Sequence, residues 1–211
     1  MTGSGIAHKP TRLVVVTDPM CSWCWGMAGE VEQARRALAG RVEFDLMLGG
    51  INTHGTQPIG DFGRRFLMRL WGEVAATTGQ FFGSQLPSAY VHNSVTACLA
   101  VEAFRSLSGE APFAYLHALQ ARFFQHGVNI TEENVLAEIA EQCGVSGVSL
   151  RGQLRDPGNV ERVRFQFDHA RTFGTQALPS LLIEQQGSMR LFAGGFVTAD
   201  MIATLLGDRG V

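Results

Sequence analysis

Cys21 and Cys24 stand three positions apart, enclosing Ser22 and Trp23, at a point where the chain changes character. Before them, Leu13-Val14-Val15-Val16 reads as a short buried strand. After them, Met27, Val31, Ala34 and Leu38 recur at helical spacing and Gly40 supplies a stop. A Cys-x-x-Cys pair at such a junction places the first sulfur at a helix N-terminus, where unpaired amides and the helix dipole favour an anion. The second sulfur lies one turn further in, on the same face. This is the arrangement of a dithiol that opens and closes a disulfide.

The energetics set a requirement. A free cysteine with a pKa of about 8.5 is under a tenth thiolate at neutral pH. Making it mostly thiolate takes a drop of about 2 units, or about 2.7 kcal/mol. The dipole supplies only ~0.3–1 kcal/mol, so direct hydrogen bonds must add the rest, and the amides of Trp23 and Cys24 are the expected donors to Cys21. Other uses of the pair fit less well. A structural zinc site needs four ligands, whereas Cys98 and Cys143 stand alone, so no metal site is expected. A structural disulfide across so short a loop constrains the unfolded chain little.

Asp18, three residues before Cys21, fits two roles: a turn residue ahead of Pro19, the reading its neighbour favours, or a carrier for the proton of Cys24. Trp23 and Trp25 fit either a substrate-facing rim or helix packing. Phe81-Phe82 could line a groove, although burial is the simpler use. Cys98 and Cys143 read as small core residues, and His92, His117, His126 and His169 show no ligand spacing.

The elements that position the dithiol follow. The chain has 211 residues, 45% hydrophobic and 17% charged, enough for one substantial core. A net charge of -2 with no basic cluster argues against nucleic acid as partner. No apolar run reaches the ~20 residues of a membrane span. Residues 1–10 read as a loose leader rather than an export signal, and with few cysteines the expected location is a reducing cytoplasm.

Val42 to Leu48 reads as a second strand, giving a β–α–β unit with a right-handed crossover. From about Pro58 to Phe173 the apolar period is helical. Phe62, Phe66, Leu70 and Val74 form one stripe, and Val95, Leu99 and Ala103, capped by Asn93 or Ser94, a second. Pro112 opens a third helix with Leu116, Leu119 and Phe123, and Thr131 starts a fourth with Val135, Leu136 and Ile139. A fifth carries Val160, Val163, Phe167 and Ala170 and stops at Gly174. Ser180–Glu184 and Met189–Ala193 then form a hairpin around Gln185-Gln186-Gly187-Ser188, and Thr198 caps a last helix. The expected fold is α/β: a thioredoxin fold with a mixed four-stranded sheet, residues 11–57 and 174–208, interrupted by a helical insertion at 58–173.

With these elements in place, the chain resembles the DsbA-like branch of the thioredoxin superfamily, and within it the cytosolic FrnE-like protein-disulfide oxidoreductases. The resemblance rests on Asp18-Pro19-Met20-Cys21-Ser22-Trp23-Cys24-Trp25-Gly26, on the helical insert, on Phe124-Gln125-His126-Gly127-Val128-Asn129-Ile130-Thr131, and on Phe173-Gly174-Thr175-Gln176-Ala177-Leu178-Pro179 before the hairpin. It spans residues 12 to 206.

The resemblance implies a redox-active pair, Cys21 and Cys24, and a cis Pro179 facing it. Leu178, Pro179, Ser22 and Trp23 would contact an extended peptide substrate, whose backbone pairs with Leu178 as an added strand would. It implies no bound cofactor, with glutathione or a thiol protein as electron donor and disulfide-containing proteins or peptides as partners.

Two departures stand out. The strand under the dithiol offers only Val14, Val15 and Val16 where DsbA carries a buried acid. Ser22-Trp23 replaces the Pro-His of DsbA, removing an imidazolium, so the couple is expected to be less oxidising than DsbA at about −120 mV. Two alternatives share the scaffold. One is a kappa-class glutathione transferase or 2-hydroxychromene-2-carboxylate isomerase, which uses serine where Cys21 stands. The other is a non-catalytic thioredoxin-fold binding module.

Overall fold

The computed structural model describes residues 11–207. The proposed leader at residues 1–10 and residue 208 of the expected last segment lie outside the described residues. β1 (Thr11–Thr17) leads into α1 (Ser22–Ala37) and β2 (Val42–Leu48). Six helices follow: α2 (Asp61–Thr78), α3 (Val95–Ser108), α4 (Phe113–Phe124), α5 (Glu133–Gln142), α6 (Gly147–Leu154) and α7 (Pro157–Ala170). β3 (Ser180–Gln185), β4 (Ser188–Gly194) and α8 (Ala199–Gly207) complete the chain.

The sheet runs in the order β2-β1-β3-β4. β1 and β2 are parallel, Val15 opposite Leu46, while β3 is antiparallel to both β1 and β4. This is the mixed four-stranded sheet of the thioredoxin fold. β1 is central, and its run Leu13–Val16 is buried throughout, as a strand covered on both faces must be. The hairpin turns through Gln186 (φ 51°) and Gly187 (φ 78°). Left-handed backbone at both central residues suits the twist of a two-residue hairpin loop.

One face of the sheet carries a large core that extends without interruption from Leu13, Val15, Met27 and Val31 to Trp71, Phe123, Leu136 and Ile139 of the inserted helices. The other face is covered more thinly, by Val14, Val16, Met47 and Leu182 against Ala170. The insert thus shares its interior with the sheet. α1 and α2 meet closely at Gly26, where a Cβ would stand 2.7 Å from Val74 Cγ1.

Three helical expectations are corrected. The buried stripe of α2 is Leu67, Trp71 and Val74, whereas Phe62 is 76% and Phe66 49% exposed. Trp71 decides the phase, because its ring packs against Phe82, Phe123 and Phe124 and rotates the two phenylalanines outward. Between Gly144 and Gly174 there are two helices rather than one. α6 is only eight residues long and buries just Gly147, Leu150 and Leu154, too little to show a period. On α7, Val163 and Phe167 face inward but Val160 is exposed. The cap of α8 agrees, Thr198 Oγ1 accepting from the Met201 amide. Pro112, however, precedes α4 rather than lying in its first turn, and α5 begins at Glu133 after Glu132 rather than at Thr131. α7 is capped by Asp156 with Pro157 in its first turn.

Candidate active site

Cys21 is the N-cap of α1, in extended conformation (φ −84°, ψ 115°), and its Sγ accepts a hydrogen bond from the Cys24 amide at 3.4 Å. Of the two amide donors expected for this sulfur, the structure records that one. The turn before it is held by the Cys21 amide donating to the Asp18 carbonyl at 3.2 Å. Both cysteines are buried, Cys21 at 7% and Cys24 at 4% exposure. Burial, reinforced by its neighbour Cys21, pushes the Cys24 thiol well up, and a hydrogen bond with the Thr17 side chain offsets this only in part. The inner sulfur therefore holds its proton and needs an acceptor to become a nucleophile.

The Leu178-Pro179 peptide bond is cis, as the resemblance implied. It sits against the dithiol: Cys21 Sγ lies 3.6 Å from the Leu178 carbonyl oxygen. The Leu178 side chain rests on Gly49, where a Cβ would come within 2.6 Å of Cδ2. Gly49 is held in turn by its amide donating to Thr17 O at 2.9 Å. The end of β2, the end of β1 and the loop before β3 converge in this way on one sulfur.

Asp18 occupies an unexpected environment. The sequence favoured a turn residue, and Asp18 does hold the turn through the Met20 and Cys21 amides, but its side chain is wholly buried. Its carboxylate accepts from the Met20 amide (2.7 Å), from Ser94 Oγ (2.6 Å) and from Cys98 Sγ (3.5 Å). Burial outweighs these bonds and lifts its pKa to about 6. Its charge also contributes to raising Cys24, so the two groups interact. An acid held near neutrality beside a reluctant thiol is the kind of pairing found where protons move. Cys98, taken as an apolar core residue, is buried but polar in its contacts. The signal that could have exposed this is the spacing of Ser94 and Cys98, one helical turn apart on a single face.

Beside Cys21 opens a groove of about 430 Å³, lined among others by Met20, Trp23, Ile59, Phe66, Leu70 and Trp71. Ser22 and His92 also reach it. Burial lowers the pKa of His92, which favours the neutral ring. Trp23 stands at the rim, tilted against Phe196 at 6.5 Å. Trp25 is a packing residue: it is buried, stacks on Phe124 at 6.2 Å, and donates its indole N–H to Phe81 O at 3.0 Å. Phe82 packs inward on Trp71, whereas Phe81 is 66% exposed. The groove is assembled by α2, the loop at 51–59 and the start of α1, and Phe66, which the sequence pattern placed on the apolar stripe of its helix, lines it half-exposed.

Among the described residues no three His, Cys, Asp or Glu side chains gather as a metal site, and no helix is long and apolar enough to cross a membrane.

Comparison with known proteins agrees with this fold. The ClpXP adapter protein SpxH of Halalkalibacterium halodurans is 22% identical over 187 residues, covering 83% of this chain and 59% of the relative. The chain thus spans about three fifths of the length of the curated relatives it matches. A presumed protein disulfide isomerase of Nitrosomonas europaea superposes with a TM-score of 0.86 at 24% identity, covering 95% of this chain and 97% of that one. The cytosolic disulfide reductase DsbM of Pseudomonas aeruginosa gives 0.76 at 25% identity, over 94% and 98%, and has also been solved with GSH. A 2-hydroxychromene-2-carboxylate isomerase shares the fold at a TM-score of 0.60 and 13% identity, over 94% of each chain. The DSBA-like thioredoxin domain itself matches residues 12–207, nearly the whole described chain, and to that family this protein belongs.

Proposed function

We propose that the protein is a thiol–disulfide oxidoreductase of the FrnE-like subgroup, reducing or isomerising disulfides of proteins or peptides in the cytoplasm. The observation that carries the reading is the placement of Cys21: a helix N-cap sulfur bonded by the Cys24 amide and lying 3.6 Å from the carbonyl before Pro179. Cys21 forms the mixed disulfide with substrate, and Cys24 resolves it. Leu178 and Pro179 align the substrate strand, Ser22 and Trp23 contact it, and Asp18 takes the proton of Cys24. No bound cofactor is required; glutathione or a thiol protein returns the electrons, a role supported by the GSH-containing DsbM structure.

The likeness to a 2-hydroxychromene-2-carboxylate isomerase favours a second reading, glutathione-dependent transfer or isomerisation without redox cycling, against which the second cysteine stands. The adapter relatives favour a third, binding without turnover. Insulin reduction separates them. Turnover with a thiol donor, lost in Cys21→Ser, together with a stable mixed disulfide trapped by Cys24→Ser, supports the oxidoreductase. A wild-type protein that leaves insulin oxidised under every donor refutes it.

A further inference from the structure

One oxygen of the Asp18 carboxylate is held by the Met20 amide of its own turn, the other by a helix of the insert. Ser94 caps α3 from a wholly buried position, and Cys98, one turn on, is equally buried. Ser94 Oγ is 2.6 Å and Cys98 Sγ 3.5 Å from the same atom, Asp18 Oδ2. Ser94 Oγ is itself oriented by the Ile51 amide, which donates to it at 2.8 Å. From α4, Gln120 Nε2 donates to the Asp18 carbonyl at 3.3 Å. Burying a carboxyl, a hydroxyl and a thiol together is costly compared with an apolar trio.

We infer that Ser94 and Cys98 are positioning residues for the dithiol: they fix the Asp18 carboxylate and set the pH at which it takes the proton of Cys24. The inference rests on the oxidoreductase reading. In the resolving step Cys24 Sγ–H passes its proton to Asp18, and the resulting thiolate attacks Cys21 Sγ. The Cys21–Cys24 bond forms as the bond from Cys21 to the substrate sulfur breaks, and that sulfur leaves as a thiolate. Over the cycle two electrons pass from the dithiol to the substrate disulfide, and an external thiol restores the dithiol. Two donors on one oxygen stabilise the charged carboxylate and so oppose the effect of burial. The titratable groups facing Asp18 are Cys24 from α1 and Cys98 from α3, while α4 presents the uncharged Gln120. Removing one donor should therefore raise the titration midpoint of Asp18 by about one unit, the effect of losing one hydrogen bond to a charged group.

The test uses full-length reduced protein. The Asp18 carboxyl is titrated by NMR, its signal assigned with Asp18→Asn, and release of a chromogenic thiol from the Cys21 mixed disulfide is followed against pH in single turnover. Ser94→Ala and Cys98→Ala are expected to move both midpoints up together by about one unit. Cys98→Ser, which keeps a donor, is expected to return them to within ~0.3 unit of the wild type, showing that the bond rather than the packing is responsible. Midpoints unmoved in both alanine variants, or an Asp18 shift with no matching shift in the exchange profile, overturns the inference while the functional reading stands. A wild type without any exchange brings down both.

Discussion

Replacing Asp18 by asparagine should make this protein more stable at neutral pH, and the size of the gain follows from the burial of one carboxyl. Asp18 is wholly inaccessible and its pKa rises from 3.8 to about 6 on folding. The rise is about 2 units, which corresponds to about 3 kcal/mol. Its sign is set by which state holds the proton more tightly. Below about pH 4 the acid is neutral in both states and costs nothing. Between about pH 4 and 6 the unfolded chain loses its proton while the native state keeps it, so stability falls as pH rises. Above the native pKa the full penalty is in place. Asparagine escapes the penalty and keeps the bond from the Met20 amide, while its amide nitrogen can donate to Ser94 Oγ in place of the bond it accepted. Allowing about 1 kcal/mol for the rearranged bonds leaves a net gain of about 2 kcal/mol at pH 7.5. Urea unfolding of wild type and Asp18→Asn, both fully reduced, across about pH 4 to 7.5 measures the difference directly. The difference should open between pH 4 and 6 and then level off. An asparagine variant no more stable than wild type at pH 7.5, or a gap that does not close toward pH 4, refutes the reasoning.

Three further outcomes are expected. Gly49→Ala places a methyl group 2.6 Å from Leu178 Cδ2 and displaces the residue whose carbonyl faces Cys21, so single-turnover exchange should slow by roughly tenfold and recover in Gly49→Ala/Leu178→Ala. An unchanged rate in the single variant would show that Leu178 yields without moving its backbone. Trp71→Ala removes a ring within 5.7 Å of the rings of Phe82, Phe123 and Phe124, and should cost ~3–5 kcal/mol in denaturant unfolding. A loss under 1 kcal/mol would mean that the surrounding aromatics collapse into the space. Equilibration of the Cys21–Cys24 couple with glutathione should give a potential more negative than about −120 mV, since Ser22-Trp23 supplies no cation to the thiolate. A value at or above that level would contradict this.

What could be read along the chain and what could not divide by the range of the interactions involved. The dithiol was legible because a strand, a cap residue and a helix are consecutive, and the bond from the Cys24 amide to Cys21 Sγ spans three residues. The hairpin was legible for the same reason: Gln186 and Gly187 carry its turn conformation locally. The core-facing side of α2 was misread because two apolar stripes share that helix, and the rings of Phe82, Phe123 and Phe124, which lie further along the chain, choose between them. The acid beneath the dithiol was sought on the central strand, where Val14 to Val16 offered none, and Asp18 just beyond it was taken for a turn residue.

The sequence by itself determined the Cys-x-x-Cys pair, its helix N-terminus and the order of the strands and of the helices other than α6, because capping and periodicity act between neighbours. Only the tertiary structure decided that Asp18 is a buried acid, that Cys98 is its partner and that Phe66 and Leu70 of α2 wall a groove beside Cys21. Those contacts join Asp18 to residues 76, 80 and 102 positions away, and burial at such separations is set by how the inserted helices pack over the sheet.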